Sequence, residues 1–383
     1  MGLPGVMTKR FLFAVLLSAT FAMPAAAGSY TDFNAGIAAF KRGDNDATLT
    51  HLNAALAAPD LNPAFRPAAY FDRARVFAVR KQWSAAIADL SAAIAADPLY
   101  LDADELRAEC YIVTGQLGLA TADLTEIIRQ KPGRPQTYGV RGDLYMRQGN
   151  FDAAIADYTQ MTVLEPDNAS PYAARSYAYR RKGDADKAVD DLDKAIRMDS
   201  QRASYFMDRG GLYQMKADYR RAAEDYKAAA ALAPSDATVV MQQGIVAWKQ
   251  GDLASANDFF AKTRASSDAS VAPYAALWSA IAAGPGGAGK AAAANRDKWP
   301  GPILDLYYGN TTMDRVLAAA AIGDAETKSN QLCEANFYGG EWYSLHGKPD
   351  AAKPMLSAAA ANCPEDFVER GAAVVALQKS GQP

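Results

Sequence analysis

One short segment has the residue types of a phosphate-binding loop. The heptapeptide Gly284–Lys290 fits most of the pattern G-x-x-x-x-G-K-[ST], in which backbone N–H groups and the lysine hold phosphates. The next residue is Ala291, so the hydroxyl that would bind the metal ion is missing, and the preceding residues 274–283 have helical rather than strand spacing. We therefore expect a loop here. A nucleotide-using enzyme that depends on Lys290 is the alternative of a different class.

The other chemistry-bearing residues do not combine into a catalytic or metal site. His51 and His346 are the only histidines and lie far apart in the sequence, so they suggest neither a Ser-His-Asp or Cys-His relay nor a zinc site. The acidic run from Asp184 to Asp193 lacks the glycine and the terminal glutamate of a calcium loop. We expect no catalytic residue, no metal and no cofactor.

The chain is organised around a unit of 34 residues that occurs five times between Pro67 and Asp236. Each unit has a small residue three positions before an aromatic residue, and a proline closes four of the five. Such a fixed period indicates a repeat array. The small residues are Ala74, Ala108, Gly142, Ser176 and Gly210; the aromatic residues are Phe77, Tyr111, Tyr145, Tyr179 and Tyr213; the prolines are Pro98, Pro132, Pro166 and Pro234.

The unit at residues 135–168 predicts a helix–turn–helix. Tyr138, Gly142 and Tyr145 lie three and four positions apart, on one helical face. Gly149 breaks that helix, and the same spacing then restarts. The second helix carries Phe151, Ala154, Ile155 and Tyr158 and ends before Pro166.

These residues resemble the tetratricopeptide repeat (TPR), with its aromatic, small and proline positions at fixed offsets. The resemblance implies an all-α fold: a right-handed superhelical solenoid of helix–turn–helix repeats with a C-terminal capping helix. One repeat cannot bury its apolar face alone, so at least three must stack.

The period also divides the chain into parts. We expect a signal peptide at 1–27, a divergent first repeat at 28–62, a degenerate helical region with the Gly-rich loop at 271–332, a C-terminal repeat at 333–366 and a capping helix at 367–379. Six repeats lie between these parts, at 67–100, 101–134, 135–168, 169–202, 203–236 and 237–270.

A pair of charged positions recurs in the five phased units. When the small residue is numbered 8, position 7 is always Arg and position 23 always Asp, whereas the next unit has Gln243 and Phe259 there. The two positions lie at similar heights in a hairpin that turns near position 16. We therefore expect a ladder of structural Arg–Asp pairs, either within one repeat or between adjacent repeats; a ligand-binding row of arginines is the alternative. The arginines are Arg73, Arg107, Arg141, Arg175 and Arg209, and the aspartates are Asp89, Asp123, Asp157, Asp191 and Asp225.

Two cysteines occupy positions 1 and 31 of the C-terminal repeat. Cys333 opens the first helix and Cys363 closes the second, so both lie at the same end of the hairpin, since each helix runs about 20 Å out or back. We expect a disulfide, which would stabilise the fold by about 3–4 kcal/mol through its loop; two buried free thiols are the alternative. Cys110 remains, and we expect it to be buried.

The first helices of such repeats line a groove with positions 2, 5, 9 and 12. Aromatic, Met and Arg side chains there are typical of a protein-binding surface. The residues that we expect to form this groove are Phe71, Arg75, Glu105, Glu109, Met146, Tyr177, Arg180, Met207, Met241 and Trp248.

The first 27 residues have the pattern of a secretory signal. Lys9 and Arg10 precede the apolar residues 11–21, and Ala25–Ala27 is a small-x-small cleavage pattern before Gly28. Because no Cys follows, we expect neither lipid attachment nor membrane insertion after cleavage. Cleavage changes the formal charge from −3 to −5 by removing two basic residues, which argues against a nucleic-acid partner.

The last 110 residues or so resemble the bacterial lipoprotein NlpI family. The matching residues are Trp299, Pro302–Asn310, Glu334–Gly340 and Asp366–Glu369. The resemblance implies a homodimer and a non-enzymatic adaptor for periplasmic proteases and peptidoglycan hydrolases. This chain differs in lacking the lipobox cysteine and in having more repeats.

Together these features predict a non-enzymatic scaffold in a bacterial periplasm. It would bind protein or peptide partners of the cell envelope and act in the regulation of peptidoglycan hydrolases. The alternative within the same class is a TPR component of a secretion or polysaccharide assembly system.

Overall fold

A computed structural model describes residues 27–266, 268, 270–284, 298–365 and 367–381 of the chain. The described residues form twenty α-helices and a short 3₁₀ turn at Pro63–Phe65, with no strand among them. This confirms the prediction of an all-α repeat fold. The predicted signal segment, apart from its last residue, lies outside the described residues. Within those residues, every helix is too short or too polar to cross a lipid bilayer.

The chain divides into two compact units, which meet at Gly133 and Arg134. The helices of the first unit are α1 (Ala27–Lys41), α2 (Asn45–Ala57), α3 (Arg66–Val79), α4 (Trp83–Ala96), α5 (Leu101–Val113) and α6 (Leu117–Gln130).

The second unit contains the remaining fourteen described helices. They are α7 (Pro135–Arg147), α8 (Phe151–Leu164), α9 (Ala169–Lys182), α10 (Ala185–Met198), α11 (Ala203–Met215), α12 (Tyr219–Leu232), α13 (Ala237–Gln250), α14 (Leu253–Arg264), α15 (Ala272–Ala283), α16 (Gly301–Tyr307), α17 (Met313–Ala320), α18 (Ala325–Leu345), α19 (Pro349–Asn362) and α20 (Val368–Ser380).

The turn inside each repeat requires a left-handed residue at position 15. Gly115, Gly149 and Gly183 have φ angles of 77°, 75° and 87° there, a conformation that glycine adopts without steric cost. Lys81 and Ala217 occupy the same position with φ angles of 59° and 56°, which costs a residue with a Cβ about 1–2 kcal/mol. The left-handed turn at position 15 therefore forms even in the two repeats that have no glycine there.

Close packing of the two helices depends on a matched pair at positions 8 and 24. A Cβ atom added to Gly210 would lie 2.8 Å from Cε1 of Tyr226, and one added to Gly244 would lie 2.5 Å from Cε1 of Phe260. By contrast, the repeat with Ala74 at position 8 has Leu90 at position 24. In these repeats an aromatic ring at position 24 takes the space that a glycine leaves at position 8.

The C-terminal part of the second unit has a core of its own kind. Trp278 is fully buried, with its ring centroid 5.3 Å from those of both Trp248 and Phe337. Helix α18 is 21 residues long and begins at Ala325, so it starts before Cys333, where the 34-residue period places the start of the repeat. Helix α20 packs against α18 and α19 and also covers α13, as described below.

Candidate functional site

The five predicted Arg–Asp pairs are present, each within one repeat. In every pair the arginine Nε and Nη2 atoms donate to the two carboxylate oxygens of the aspartate at distances of 2.6–2.9 Å. Such two-pronged geometry is the strongest form of this interaction. For Arg175 the hydrogen bond to Asp191 is the main cause of a raised pKa. The geometry is that of helix-to-helix bracing, the structural role expected for these residues.

The same arginines also join consecutive repeats, which the sequence analysis did not anticipate. The third donor of the guanidinium, Nη1, reaches a polar side chain at position 25 of the preceding repeat. The contacts are Arg73 with Asn53 at 2.7 Å, Arg107 with Ser91 at 3.0 Å, Arg175 with Thr159 at 3.0 Å, and Arg209 with Asp193. The signal that indicates this contact is the polar residue that recurs at position 25.

One carboxylate in the first unit lies beside this network without a full set of partners. Asp104 is 2% exposed, and its Oδ1 lies 3.8 Å from Nη2 of Arg107. Its Oδ2 has no hydrogen-bond donor among the described residues. Burial, together with the charge of Asp123, raises the pKa of Asp104 to about 6.

The first helices of the first unit carry an aromatic and arginine cluster. The Phe71 ring on α3 packs edge-on against Tyr100, with centroids 5.2 Å apart. The guanidinium of Arg75 lies 4.2 Å from the centroid of Phe40 on α1, and its Nη1 is 3.2 Å from Asp72. The Arg75 side chain is still 42% exposed. We call Phe40, Phe71, Arg75 and Tyr100 the aromatic–arginine cluster.

Helix α5 places two acids on the same kind of surface. Glu105 is partly buried and Glu109 is exposed, and they lie four residues apart, one helical turn. The surrounding protein raises the pKa of Glu109 by partial desolvation, and the charge of Glu105 adds to that effect. This surface therefore disfavours an anionic partner and favours a basic one.

In the second unit, four predicted groove residues remain at least partly open to solvent. Tyr177 is 45% exposed, and the Arg180 guanidinium lies 5.1 Å from the centroid of its ring. Met146 packs against the core formed by Ala154, Tyr158 and Ala178, whereas Met207 packs against a core that includes Tyr226.

Met241 and Trp248 do not line an open surface, which corrects the predicted groove. They are 5% and 4% exposed and belong to the C-terminal core. Lys379 of α20 donates from Nζ to the Trp248 carbonyl oxygen at 3.3 Å, and its Nζ lies 4.3 Å from the centroid of the Trp248 ring. Helix α20 thus occupies the position over α13 that an external partner would need.

Two glutamates of the C-terminal part, Glu334 and Glu369, accept hydrogen bonds from aromatic side chains. Glu334 Oε2 accepts hydrogen bonds from Trp299 Nε1 at 2.8 Å and from the Tyr274 hydroxyl at 3.0 Å. The Tyr338 hydroxyl donates to Glu369 at 3.0 Å. Burial, with the charge of Glu369, raises the pKa of Glu334 to about 7. These hydrogen bonds therefore link α15 to α18 through Tyr274 and Glu334, and α18 to α20 through Tyr338 and Glu369.

The cysteines and the Gly-rich loop complete the predicted residues. The Sγ atoms of Cys333 and Cys363 are 2.07 Å apart, forming a disulfide, and Cys110 is a buried free thiol. Helix α15 ends at Ala283. The predicted loop lies outside the described residues beyond Gly284, and so does Lys290.

Tandem helix pairs with inward-facing small residues and open first-helix surfaces define a repeat protein that binds other proteins. The family model described as "Tetratricopeptide repeat" matches residues 33–98, 71–135, 140–203 and 209–270, which together are more than half of the chain. The protein therefore belongs to the tetratricopeptide repeat family. Members of this family are generally protein-interaction scaffolds without catalytic activity of their own.

Solved structures with a similar fold include three repeat proteins of low identity. A MamA protein is 19% identical, with 47% of this chain and 97% of that chain covered and a TM-score of 0.41. A tetratricopeptide repeat protein from Parabacteroides merdae is 17% identical, with coverages of 65% and 98% and a TM-score of 0.44. The pilF protein of Pseudomonas aeruginosa is 15% identical, with coverages of 53% and 92% and a TM-score of 0.41.

Proposed function

We propose that this chain is an exported scaffold of the bacterial cell envelope that gathers protein partners and catalyses no reaction itself. The aromatic–arginine cluster of the first unit is the observation that carries this proposal. Aromatic and arginine side chains supply most of the energy in protein interfaces when a partner covers them. Arg75 presents an exposed guanidinium over two rings, so a partner that covers it would gain both apolar and charged contacts.

The composition of the neighbouring surface indicates the chemistry of the partner. Glu105 and Glu109 carry charge next along the repeats from the cluster, and like charges across an interface cost several kcal/mol. We infer a partner segment with apolar or aromatic residues for the cluster and a Lys or Arg for Glu109. Tyr177 and Arg180 are the corresponding open residues of the second unit.

Two features support a location outside the cytoplasm. The first 27 residues carry the basic, apolar and small-residue pattern of an export signal. The Cys333–Cys363 disulfide is the kind of bond that persists in the periplasm and is rare in the cytosol. Neither feature depends on the repeats, so they support export independently of the scaffold role.

The NlpI resemblance supports a particular pathway for the scaffold. That family forms homodimers and serves as an adaptor for periplasmic proteases and peptidoglycan hydrolases. In this chain two of the matching residues, Trp299 and Glu334, form a hydrogen bond with each other. We propose peptidoglycan-hydrolase regulation as the process, and homodimerisation as the assembly state.

Crosslinking in the cells that produce the protein tests the proposal. The tagged full chain would be crosslinked and purified, and the captured proteins identified by mass spectrometry. Arg75→Ala and Phe71→Ala should each lose the captured partner. Arg129→Ala is the matched control, because Arg129 is 68% exposed and pairs with Glu126 on its own helix.

The identity of the captured proteins separates the possible outcomes. Peptidoglycan hydrolases or a periplasmic protease, lost with Arg75→Ala but not with Arg129→Ala, would support the adaptor role. Secretion or polysaccharide-assembly proteins would keep the scaffold and replace the pathway. Equal capture by all variants would overturn the proposed surface.

A further inference from the structure

A second feature of the molecule is a cavity in the second unit, which does not include the aromatic–arginine cluster that carries the proposed scaffold role. It has a volume of about 550 Å³ and lies between the first helices α9, α11 and α13 and the covering helix α20. Cavities of this size hold ligands as large as a sugar or a small peptide. We call it the α20 cavity. Its lining includes Arg180, Gln214, Tyr226, Gln242, Lys249 and Gly371.

Lys249 places an ammonium group at this cavity. It sits at position 13 of its repeat, where Val79, Val113 and Met215 are exposed in other repeats, but α20 leaves it only 6% exposed. No carboxylate in the described part of the chain lies at ion-pair distance from Nζ; Glu369, which exerts an electrostatic effect on it, receives a hydrogen bond from Tyr338. A buried cation normally has a partner, so this one is available to an anion.

The backbone of α20 makes room for that ammonium group. A Cβ atom added to Gly371 would lie 3.1 Å from Nζ of Lys249, closer than side-chain carbon atoms normally pack. Burial lowers the pKa of Lys249 to about 8, so most of the lysine stays protonated at neutral pH. The site therefore keeps a positive charge next to the cavity.

Two amide side chains that line the same cavity each have one buried hydrogen-bonding atom without a partner among the described residues. The Oε1 atom of Gln214 accepts from the Tyr226 hydroxyl at 2.9 Å, but its Nε2 atom has no acceptor among the described residues. Gln214 is 7% exposed. The Oε1 atom of Gln242 is likewise buried with no donor within the described residues. An unpaired buried amide is costly, and a ligand that bonded to both would remove that cost.

The charges around the cavity favour an anion. Its lining contains the basic residues Arg180, Lys216, Lys249 and Arg370 and the acidic residues Asp208 and Glu365. Arg370 and Glu365 lie 3.6 Å apart and offset each other. Lys216 pairs with Asp186, and the charge of Arg180 acts on Asp208, so the positive charge that remains is that of Lys249.

We propose that the α20 cavity binds a small ligand that carries a carboxylate or phosphate group and hydroxyl or amide groups beside it. Lys249 would bind the anionic group, with Arg180 as the second cation. A rotation of the two amide groups toward the cavity would let the amide nitrogen of Gln214 donate to the ligand and the amide oxygen of Gln242 accept a hydrogen bond from it. This inference goes beyond the scaffold role, because the cavity lies under the chain's own C-terminal helix.

Calorimetric titration of the full chain tests this site with three sugars of similar size. D-glucuronate supplies a carboxylate, D-glucose 6-phosphate supplies a phosphate, and D-glucose is the uncharged control. We expect saturable binding of one or both anions and none of glucose. The stronger anion identifies the preferred group.

Two variants and a matched control assign the binding to the cavity. Lys249→Met and Arg180→Met should each weaken the anion by about tenfold to a hundredfold, the worth of one charged hydrogen bond. Lys227→Met should leave binding unchanged, since Lys227 is exposed on α12 and does not line the cavity. Thermal unfolding checks that each variant is folded, and Lys249→Met should fold well because it removes a buried charge.

Two results would overturn the proposal. One is the absence of saturable binding for both anions at millimolar concentration. The other is equal affinity in the wild type and in folded Lys249→Met, which would place the anion elsewhere on the surface.

Discussion

The phased repeats and the C-terminal part bury their carboxylates in opposite ways. In the repeats, Asp157, Asp191 and the equivalent aspartates each accept two hydrogen bonds from an arginine. In the C-terminal part, Glu334 and Glu369 accept hydrogen bonds from tyrosine and tryptophan, without a basic residue at ion-pair distance among the described residues. A paired carboxylate keeps its charge inside the protein, whereas one bonded only to neutral groups is more easily protonated.

The difference follows from how each region is built. Positions 7 and 23 lie side by side in each of the five phased repeats. The buried aspartate at position 23 is therefore paired with the arginine at position 7 in every one of them. The C-terminal part has no such period between α15 and α18, and its acids are packed among rings such as Tyr274 and Tyr338. We therefore expect the stability of the repeats to depend on their charge pairs, and the stability of the C-terminal part to depend on pH.

Removing one arginine of the repeats should have the largest effect. Arg175→Met leaves Asp191 buried, with a side chain only 4% exposed, and removes the hydrogen bond to Thr159. We expect the free energy of unfolding, measured by urea denaturation, to fall by about 3–5 kcal/mol. The double variant Arg175→Met/Asp191→Leu should recover most of that loss, because no buried charge is left unpaired. A single variant as stable as the wild type would contradict the bracing role.

The C-terminal part should lose stability as the pH rises. Burial raises the pKa of Glu341 to about 7 from 4.5, so the folded state holds a proton that the unfolded state releases between these values. The stabilisation is complete below pH 4.5 and is lost as the pH rises through 7. Over this interval it amounts to about 3 kcal/mol.

The Glu341→Gln variant separates this effect from other pH effects. Thermal unfolding should show it to be more stable than the wild type at pH 8 and similar at pH 5. Glu326→Gln is the matched control, because Glu326 is exposed on the same helix, α18. If Glu341→Gln kept the full pH dependence of the wild type, the contrast between the two regions would not hold.

Alanine substitutions at the adjacent glycines of α11, Gly210 and Gly211, should change the free energy of unfolding least, and in opposite directions. Gly210→Ala would press a Cβ atom against Tyr226, and overpacking of this kind costs about 1–3 kcal/mol. A Cβ atom added to Gly211 would lie 3.9 Å from the Tyr226 hydroxyl oxygen, an ordinary contact distance, so Gly211→Ala should stabilise the helix by up to about 1 kcal/mol. Urea denaturation of both variants measures the difference. Similar values would show that position 8 is not constrained by the ring at position 24.

Residues 34 positions apart were enough to predict the repeats, the helix pairs and the Arg–Asp positions. The partners in these contacts lie within one repeat, 16 residues apart, so the period brings them together without further information. Cys333 and Cys363 follow the same reasoning, because they occupy positions 1 and 31 of one repeat, although α18 begins eight residues before Cys333. The bonds from each arginine to the preceding repeat were missed, since position 25 holds Asn, Ser, Thr or Asp rather than one residue type.

The local sequence thus determines which helices form and which side chains face each other inside a repeat, because those contacts are short in range and repeated. The burial of Met241 and Trp248 was decided only in the tertiary structure. Trp248 is covered by α20, which lies 131 residues further along the chain at the contact between Lys379 and Trp248 and has no place in the 34-residue period. The same helix buries Lys249 and closes the α20 cavity, because long-range packing, and not helix periodicity, sets which first-helix residues stay open to solvent.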